Sequence, residues 1–249
     1  MAGLALLFFV TAVLYAAVGF GGGSTYNALL VLAEVDYRVL PSIALACNLI
    51  VVSGGTYQYW RTGHLSLRFA LPFVVLSVPM AWFGGRAPIN RETFVLLLGA
   101  SLLVAGLAMF LQPKQSSPSP PGSPSVMWFV GLPLGGLFGF LAGLVGIGGG
   151  IFLAPCLHLM RLGDAKRIAA TASFFIMVNS IAGLVGQTMK QGTVDHLSAL
   201  SGYVWLGVAV LIGGQLGSRL STRVLSGIVV KRLTGTLVLY VAVRLLFLE

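Results

Sequence analysis

The hydrophobic pattern of the chain is a succession of long apolar runs separated by short polar intervals. A membrane-crossing helix needs about 20 such residues. The first run extends from Gly3 to Val18, meets Gly19-Phe20-Gly21-Gly22-Gly23, and resumes from Ser24 to Ala33. Leu40 to Tyr59 follows, closed by Arg61; then Phe69 to Gly85, closed by Arg86; then Phe94 to Leu111. Gln112 to Ser125 is rich in Pro and Ser, cannot span, and reads as a flexible or extended linker. After it the pattern restarts. Val126 to Val145 meets Gly146-Ile147-Gly148-Gly149-Gly150, and Ile151 to Met160 continues. Ile168 to Met189, Leu197 to Leu216 and Ile228 to Leu248 complete the chain.

The two stretches are copies of one plan. Besides the paired glycine clusters, Arg61-Thr62-Gly63 answers Lys190-Gln191-Gly192, and Gly84-Gly85-Arg86 answers Gly217-Ser218-Arg219, in the same order. The chain therefore divides into a first transmembrane repeat over 1–111, a linker over 112–125 and a second repeat over 126–249. An internal repeat around a broken apolar segment is the mark of a secondary transporter. Composition agrees: 57% of residues are hydrophobic and 8% charged, where a soluble domain carries about 25% charged residues. A cytosolic enzyme, a disordered chain and a nucleic-acid-binding module are excluded. The net charge of +9 does not mark a nucleic-acid partner, because the fifteen Lys and Arg stand singly between apolar runs, as topology-setting loop charge does. Cys47 and Cys156 lie in apolar stretches and form neither a disulfide framework nor a metal spacing, and no cofactor motif is present. No Lys or Arg precedes the run from Met1 to Val18, so it is expected to belong to the fold rather than to a cleaved signal.

Val18-Gly19-Phe20-Gly21-Gly22-Gly23, its counterpart Val145-Gly146-Ile147-Gly148-Gly149-Gly150, and Ala169-Ala170-Thr171-Ala172-Ser173 together resemble the TauE/SafE sulfite-exporter family of anion permeases. The likeness covers essentially the whole chain. It implies a multi-pass protein of the plasma membrane (the inner membrane in a bacterium) that moves sulfite, sulfonates or a related sulfur oxyanion. It also makes Thr171 and Ser173 candidate ligands. The first half departs from that Thr-Ser pattern, reading Pro41-Ser42-Ile43-Ala44.

An anion in a membrane must exchange its hydration shell for fixed donors. A helix N-terminus offers backbone N–H groups and the positive end of the helix dipole, and glycine lets the backbone approach a ligand and adopt positive φ. Gly21, Gly22, Gly23, Gly148, Gly149 and Gly150 are therefore the first candidates to hold the anion, with the hydroxyls of Ser24 and Thr25 beside the first break. The second break has no hydroxyl at the matching place and is expected to contribute backbone donors. Irregular backbone at membrane depth survives only where protein buries it or a cavity is lined by it. Two such breaks facing each other would form a cage with no cationic side chain. Asn48 and Asn179 lie mid-span; each is a candidate ligand or an interhelical hydrogen bond, worth about 0.6 kcal/mol on average. Asn179, Gly183, Gly186 and Lys190 form one helical stripe, which packing alone explains equally well. Gln58 and Gln187 match across the repeat, one turn from Arg61 and Lys190, and these two cations are better read as snorkelling at the interface than as anion attractors. The six carboxylates fall at span ends or loops, which leaves no proton relay inside the spans. His158 reads as an interfacial histidine and Cys156 as a small buried hydrophobe.

The fold expected is an all-α polytopic membrane protein of two homologous halves, each with a glycine-broken re-entrant helix pair and three spanning helices. Lys and Arg distribution ties between hairpins, which invert the halves, and single crossings, which make them parallel. Length favours hairpins, since Gly3 to Ala33 as one helix would be about 46 Å against a core of about 30 Å. The leading function is a carrier for a small sulfur oxyanion. A passive channel is the alternative, disfavoured because cations are absent from span interiors. A membrane-embedded enzyme would need a nucleophile and base or a metal cluster inside the fold, and neither is present in the sequence. The partners expected are the anion and the lipid bilayer, with a homodimer left open.

Overall fold

The computed structural model describes residues 2–18, 20–111, 124–191, 200–220 and 227–247. Most of the expected linker and the interval carrying Asp195 and His196 lie outside the described residues. Within them every regular element is an α-helix: α1 (Ala2–Val18), α2 (Gly23–Leu32), α3 (Leu40–Arg61), α4 (Leu67–Arg86), α5 (Arg91–Leu111), α6 (Pro124–Val145), α7 (Gly150–Leu159), α8 (Ala165–Gln191), α9 (Val204–Leu220) and α10 (Gly227–Phe247). Five of them, α3, α4, α5, α6 and α8, are long and apolar enough to cross a membrane. The chain is a multi-pass membrane protein.

Local chemistry sets the helix starts. Asn90 Oδ1 accepts from the Thr93 N–H at 2.8 Å and caps α5, and Asp164 Oδ1 accepts from the Arg167 N–H at 2.8 Å and caps α8. Pro41 occupies the first turn of α3, where its missing N–H costs nothing. The four tryptophans, Trp60, Trp82, Trp128 and Trp205, all lie near a helix end. That is the placement of an interfacial aromatic belt. Outward faces such as Leu6, Leu7 and Val10 on α1, or Leu96, Val104 and Leu107 on α5, are exposed and apolar, as lipid requires.

The chain folds back at each glycine break. The rings of Phe8 on α1 and Tyr26 on α2 stack with centroids 4.7 Å apart, whereas on one continuous helix they would be about 27 Å apart. Phe138 on α6 and Phe152 on α7 stack likewise at 5.5 Å. The arms differ from the paired half-helices expected from sequence. α1 has 17 residues and α6 has 22, while α2 and α7 have 10 each. The first arm is thus about 25–33 Å long and the returning arm about 15 Å. The run before the first cluster holds no proline, and α6 continues through its one internal proline, Pro133, so each first arm extends to the glycines.

Glycine also sets how the long helices pack. Gly131, Gly135, Gly139 and Gly143 recur every fourth residue along α6 and lie in turn against Pro72, Phe73, Ser77 and Ala81, so α4 and α6 run parallel. A Cβ on Gly135, Gly139 or Gly143 would overlap the carbonyl oxygen of Phe73, Ser77 or Ala81. α1 and α9 pack in the same way, Gly213 against Phe9 O and Gly217 against Val13 O, again parallel. Equivalent helices of the two stretches instead cross antiparallel. Thr56 bonds Ser173 while Leu45 approaches Gly183, along α3 and α8; Gly99 approaches Leu246 while Gly106 approaches Leu239, along α5 and α10.

Gly139→Val or Gly143→Val forces α4 and α6 apart and should cost about 1–3 kcal/mol, read as a lowered melting temperature in detergent. Gly54→Ala, whose Cβ would meet only Gln215 Nε2 at 3.9 Å, should leave melting unchanged or raised. If the halves are inverted and the basic interval after Leu216 lies inside, as the charge rule expects, Ser119 faces the cytoplasm. A cysteine at Ser119, in a Cys47→Ala, Cys156→Ala background, should react with an impermeant maleimide only after lysis; labelling on intact cells would refute that topology.

Candidate functional site

The two breaks meet. A Cβ on Gly23 would stand 2.6 Å from Ile147 O, so the start of α2 abuts the second break directly. Asn48 on α3 lies in the joint and touches both. A Cβ on Gly21 would be 2.6 Å from Asn48 Oδ1, one on Gly23 would overlap Asn48 Nδ2, and one on Gly148 would be 2.8 Å from Nδ2. Asn48 Nδ2 donates to Ile147 O at 3.2 Å, and Asn48 is fully buried. Around this joint the three positions must be glycine because a carboxamide occupies the space of their side chains. The second break is held further by Asn27, whose Nδ2 donates to Val145 O at 2.9 Å, and by Gln187, whose Nε2 donates to Gly143 O at 2.9 Å.

The breaks also concentrate unused hydrogen-bonding capacity. The first backbone donor of α2 with a backbone acceptor is the Tyr26 N–H, to Gly22 O, and in α7 it is the Phe152 N–H, to Gly149 O. The N–H groups of Gly21, Gly22, Gly23 and Ser24, and of Ile147, Gly148, Gly149 and Gly150, donate to no backbone acceptor among the described residues. Buried side-chain atoms without a partner include Ser24 Oγ, Asn48 Oδ1, Asn179 Oδ1 and Ser180 Oγ. Native interiors leave few such groups, and each calls for an explanation.

The expected site residues do not all converge. Gly21, Gly23, Asn48 and Gly148 share the joint. Gly22 and Gly149 have φ of 85° and 75°; Gly22 faces into its own hairpin, toward Thr11, Tyr15 and Tyr26, and Gly149 faces Phe138 and Ala142 of its hairpin and Phe175 on α8. Their role is the left-handed turn that starts the returning arm, where an L side chain is strained. Gly150 packs against Ile176 and Ala172 O. Ser24 is buried with a free hydroxyl, but the Thr25 hydroxyl pairs with Tyr15 OH at 2.8 Å. The Thr171 hydroxyl donates to Arg167 O at 2.9 Å along its own helix, and Ser173 pairs with Thr56 at 2.9 Å across α3 and α8. Asn179 donates to Phe175 O at 2.9 Å. Its neighbour Ser180 approaches Gly148 beside Ile176, with Oγ 3.5 Å from where a Cβ would be.

Sequence reasoning missed Asn27 and Ser180. Both are mid-run polar residues, and the signal that found Asn48 and Asn179 would have found them. Among the described residues no cation is found against the joint: Arg61 lies 5.8 Å over Tyr57, Arg86 5.3 Å over Trp82 and Arg167 5.8 Å over Phe69, all at helix ends. The joint is therefore electrically neutral, with donors from backbone and carboxamide.

Comparison with known proteins agrees with this architecture. The family model described as "Sulfite exporter TauE/SafE" matches residues 4–245. The chain is 32% identical over 248 residues to the probable membrane transporter protein y4hK of Sinorhizobium fredii, covering 98% of each. It is 26% identical over 231 residues to the probable membrane transporter protein YunE of Bacillus subtilis, covering 83% of each. No solved structure matches the chain.

If the joint is where a ligand is held, Asn48→Leu should remove its binding outright, since it deletes the amide and fills the gap between breaks. Ser24→Ala should weaken binding by about 1 kcal/mol, one neutral hydrogen bond. Asn179→Leu, facing its own helix, should change affinity little. Ligand-induced shifts of melting temperature measure all three.

Proposed function

We propose a carrier function from one premise: the chain belongs to the sulfite exporter TauE/SafE family. It is a membrane transporter, not an enzyme. The substrate is a small sulfur oxyanion, sulfite or an organosulfonate, held where the two glycine breaks meet. The observation that carries this reading is the joint itself, in which Gly21, Gly23, Gly148 and the Asn48 carboxamide crowd together beside backbone N–H groups with no backbone acceptor. Oxyanions are well matched to such donors, because each oxygen accepts several hydrogen bonds and the dipoles of α2 and α7 start there. Turning the Asn48 carboxamide away from Ile147 O frees its N–H bonds for the anion. Ser24 and Ser180 supply hydroxyls. A neutral cage binds a monoanion without the tight grip of a buried cation, which favours release on the far side.

The halves 1–111 and 126–249 act as an inverted repeat, a reading supported by the antiparallel crossing of α3 with α8 and α5 with α10. Each break then approaches the midplane from its own face, and alternating access moves the halves around a fixed site. In a bacterium the chain works in the inner membrane.

Purified protein in liposomes tests the reading. Sulfite or a sulfonate should enter with saturable kinetics and compete with one another, and Asn48→Leu should abolish the flux. A non-saturating, ohmic anion current would replace the carrier with a channel.

A further inference from the structure

The two halves do not hold their matching helices alike. Gln58 on α3 and Gln187 on α8 each stand three residues before a cation, Arg61 or Lys190. Gln187 is buried and donates to Gly143 O at 2.9 Å and Leu144 O at 3.4 Å, in the last turn of α6 before its break. The matching carbonyls before the first break belong to Ala16 and Ala17. Gln58 is nonetheless exposed, with no side-chain bond to any described residue.

The backbones repeat the contrast. Gly183 and Gly54 each lie one turn before these glutamines. A Cβ on Gly85 would overlap Gly183 O, and one on Gly186 would overlap Trp82 O, so α8 and α4 are in backbone contact. The counterpart of Gly85 is Ser218, each preceding an arginine. Yet a Cβ on Gly54 meets only Gln215 Nε2, at 3.9 Å, and one on Gly214 meets nothing nearer than Val51 Cα, at 3.6 Å. This is not general looseness in the first half, because α1 and α9 remain in backbone contact through Gly213 and Gly217. Ser53 and Gln58 on α3 and Gln215 on α9 are exposed and polar, where lipid-facing surfaces carry Leu and Val. Glycine inside a helix is unfavourable unless close packing requires it. In this state Gly54 has no such neighbour.

We propose that the α4–α8 and α3–α9 interfaces exchange during transport, with Gln187 and Gln58 as alternating latches; the inference rests on the carrier reading above. In the state described, α8 rests on α4 and α6, Gln187 is bonded to Gly143 and Leu144, and α3 and α9 pack loosely around Gly54. In the opposite state α3 closes on α1 and α9, Gly54 meets Ser218, and Gln58 donates to Ala16 O and Ala17 O. Gln187 is then released and the packing between α8 and α4 loosens. One latch replaces the other, so the two states differ little in energy, as a carrier that must visit both requires.

The test uses the full chain in proteoliposomes with sulfite as probe. Gly54→Leu fills open space here but blocks closure. It should keep its melting temperature and sulfite affinity within about twofold while transport falls at least about tenfold. Gln58→Leu should slow turnover about tenfold at unchanged affinity, the loss of one latch bond. Gly54→Cys with Ser218→Cys, in a Cys47→Ala, Cys156→Ala chain, should form a disulfide during turnover, stop transport, and recover on reduction. A disulfide needs Cα atoms within about 7 Å, so its formation reports closure. Saturable wild-type flux with Gly54→Leu still transporting normally, or with no disulfide under turnover, overturns the exchange. Loss of folding in Gly54→Leu overturns it too, since the site would then not be open. An ohmic current from the wild type defeats the carrier reading instead.

Discussion

A helix that breaks at membrane depth exposes several N–H groups with no intrahelical acceptor, and hydrocarbon offers them no partner. The rest of this structure is arranged around that constraint. Each break is withdrawn from lipid by the other: Gly23 lies against Ile147 O, and Asn48 closes the joint while bonding the second break. Asn27 and Gln187 secure the carbonyls before it. Three carboxamides on three different helices thus hold α6 and its break in place. The donors left over are gathered at one point rather than scattered.

Glycine performs different tasks at different places. At Gly22 and Gly149 it permits left-handed backbone, which turns the chain into its short returning arm. Along α6, α8 and α9 it permits helix axes to approach until carbonyl oxygens lie against Cα atoms. In lipid this close contact replaces the hydrophobic drive that assembles soluble bundles. The same device makes the interface between α4 and α8 tight where its counterpart between α3 and α9 is looser.

In the proposed carrier, selectivity and movement have a common origin. A site made of backbone and carboxamide donors carries no fixed charge, so the energy of binding depends on how closely both breaks surround the ligand. Whatever separates the halves loosens the cage. In the carrier we propose, Asn48 couples binding at the joint to motion of the long helices, since it sits on α3 and touches both breaks.

Apolar run length, the doubled glycine cluster and the scarcity of charge were enough to reveal a multi-pass helical membrane transporter and the family to which it belongs, because the bilayer admits few ways to bury a backbone. The capping residues, the interfacial tryptophans and the positions of the breaks are local in the same sense. The partners of each polar side chain were not legible. Thr25 and Tyr15, Thr56 and Ser173, and Asn48 and Ile147 O pair across distant segments. No spacing rule distinguishes a hydroxyl turned to its own helix, as in Thr171, from one aimed at the joint. The unequal arms of the hairpins, the choice of Ser180 over Asn179 beside Gly148, and the tighter and looser packing of α8 and α3 were decided by tertiary packing. Helix periodicity places a residue on a face, but only the neighbouring helix determines whether that face meets backbone, water or lipid.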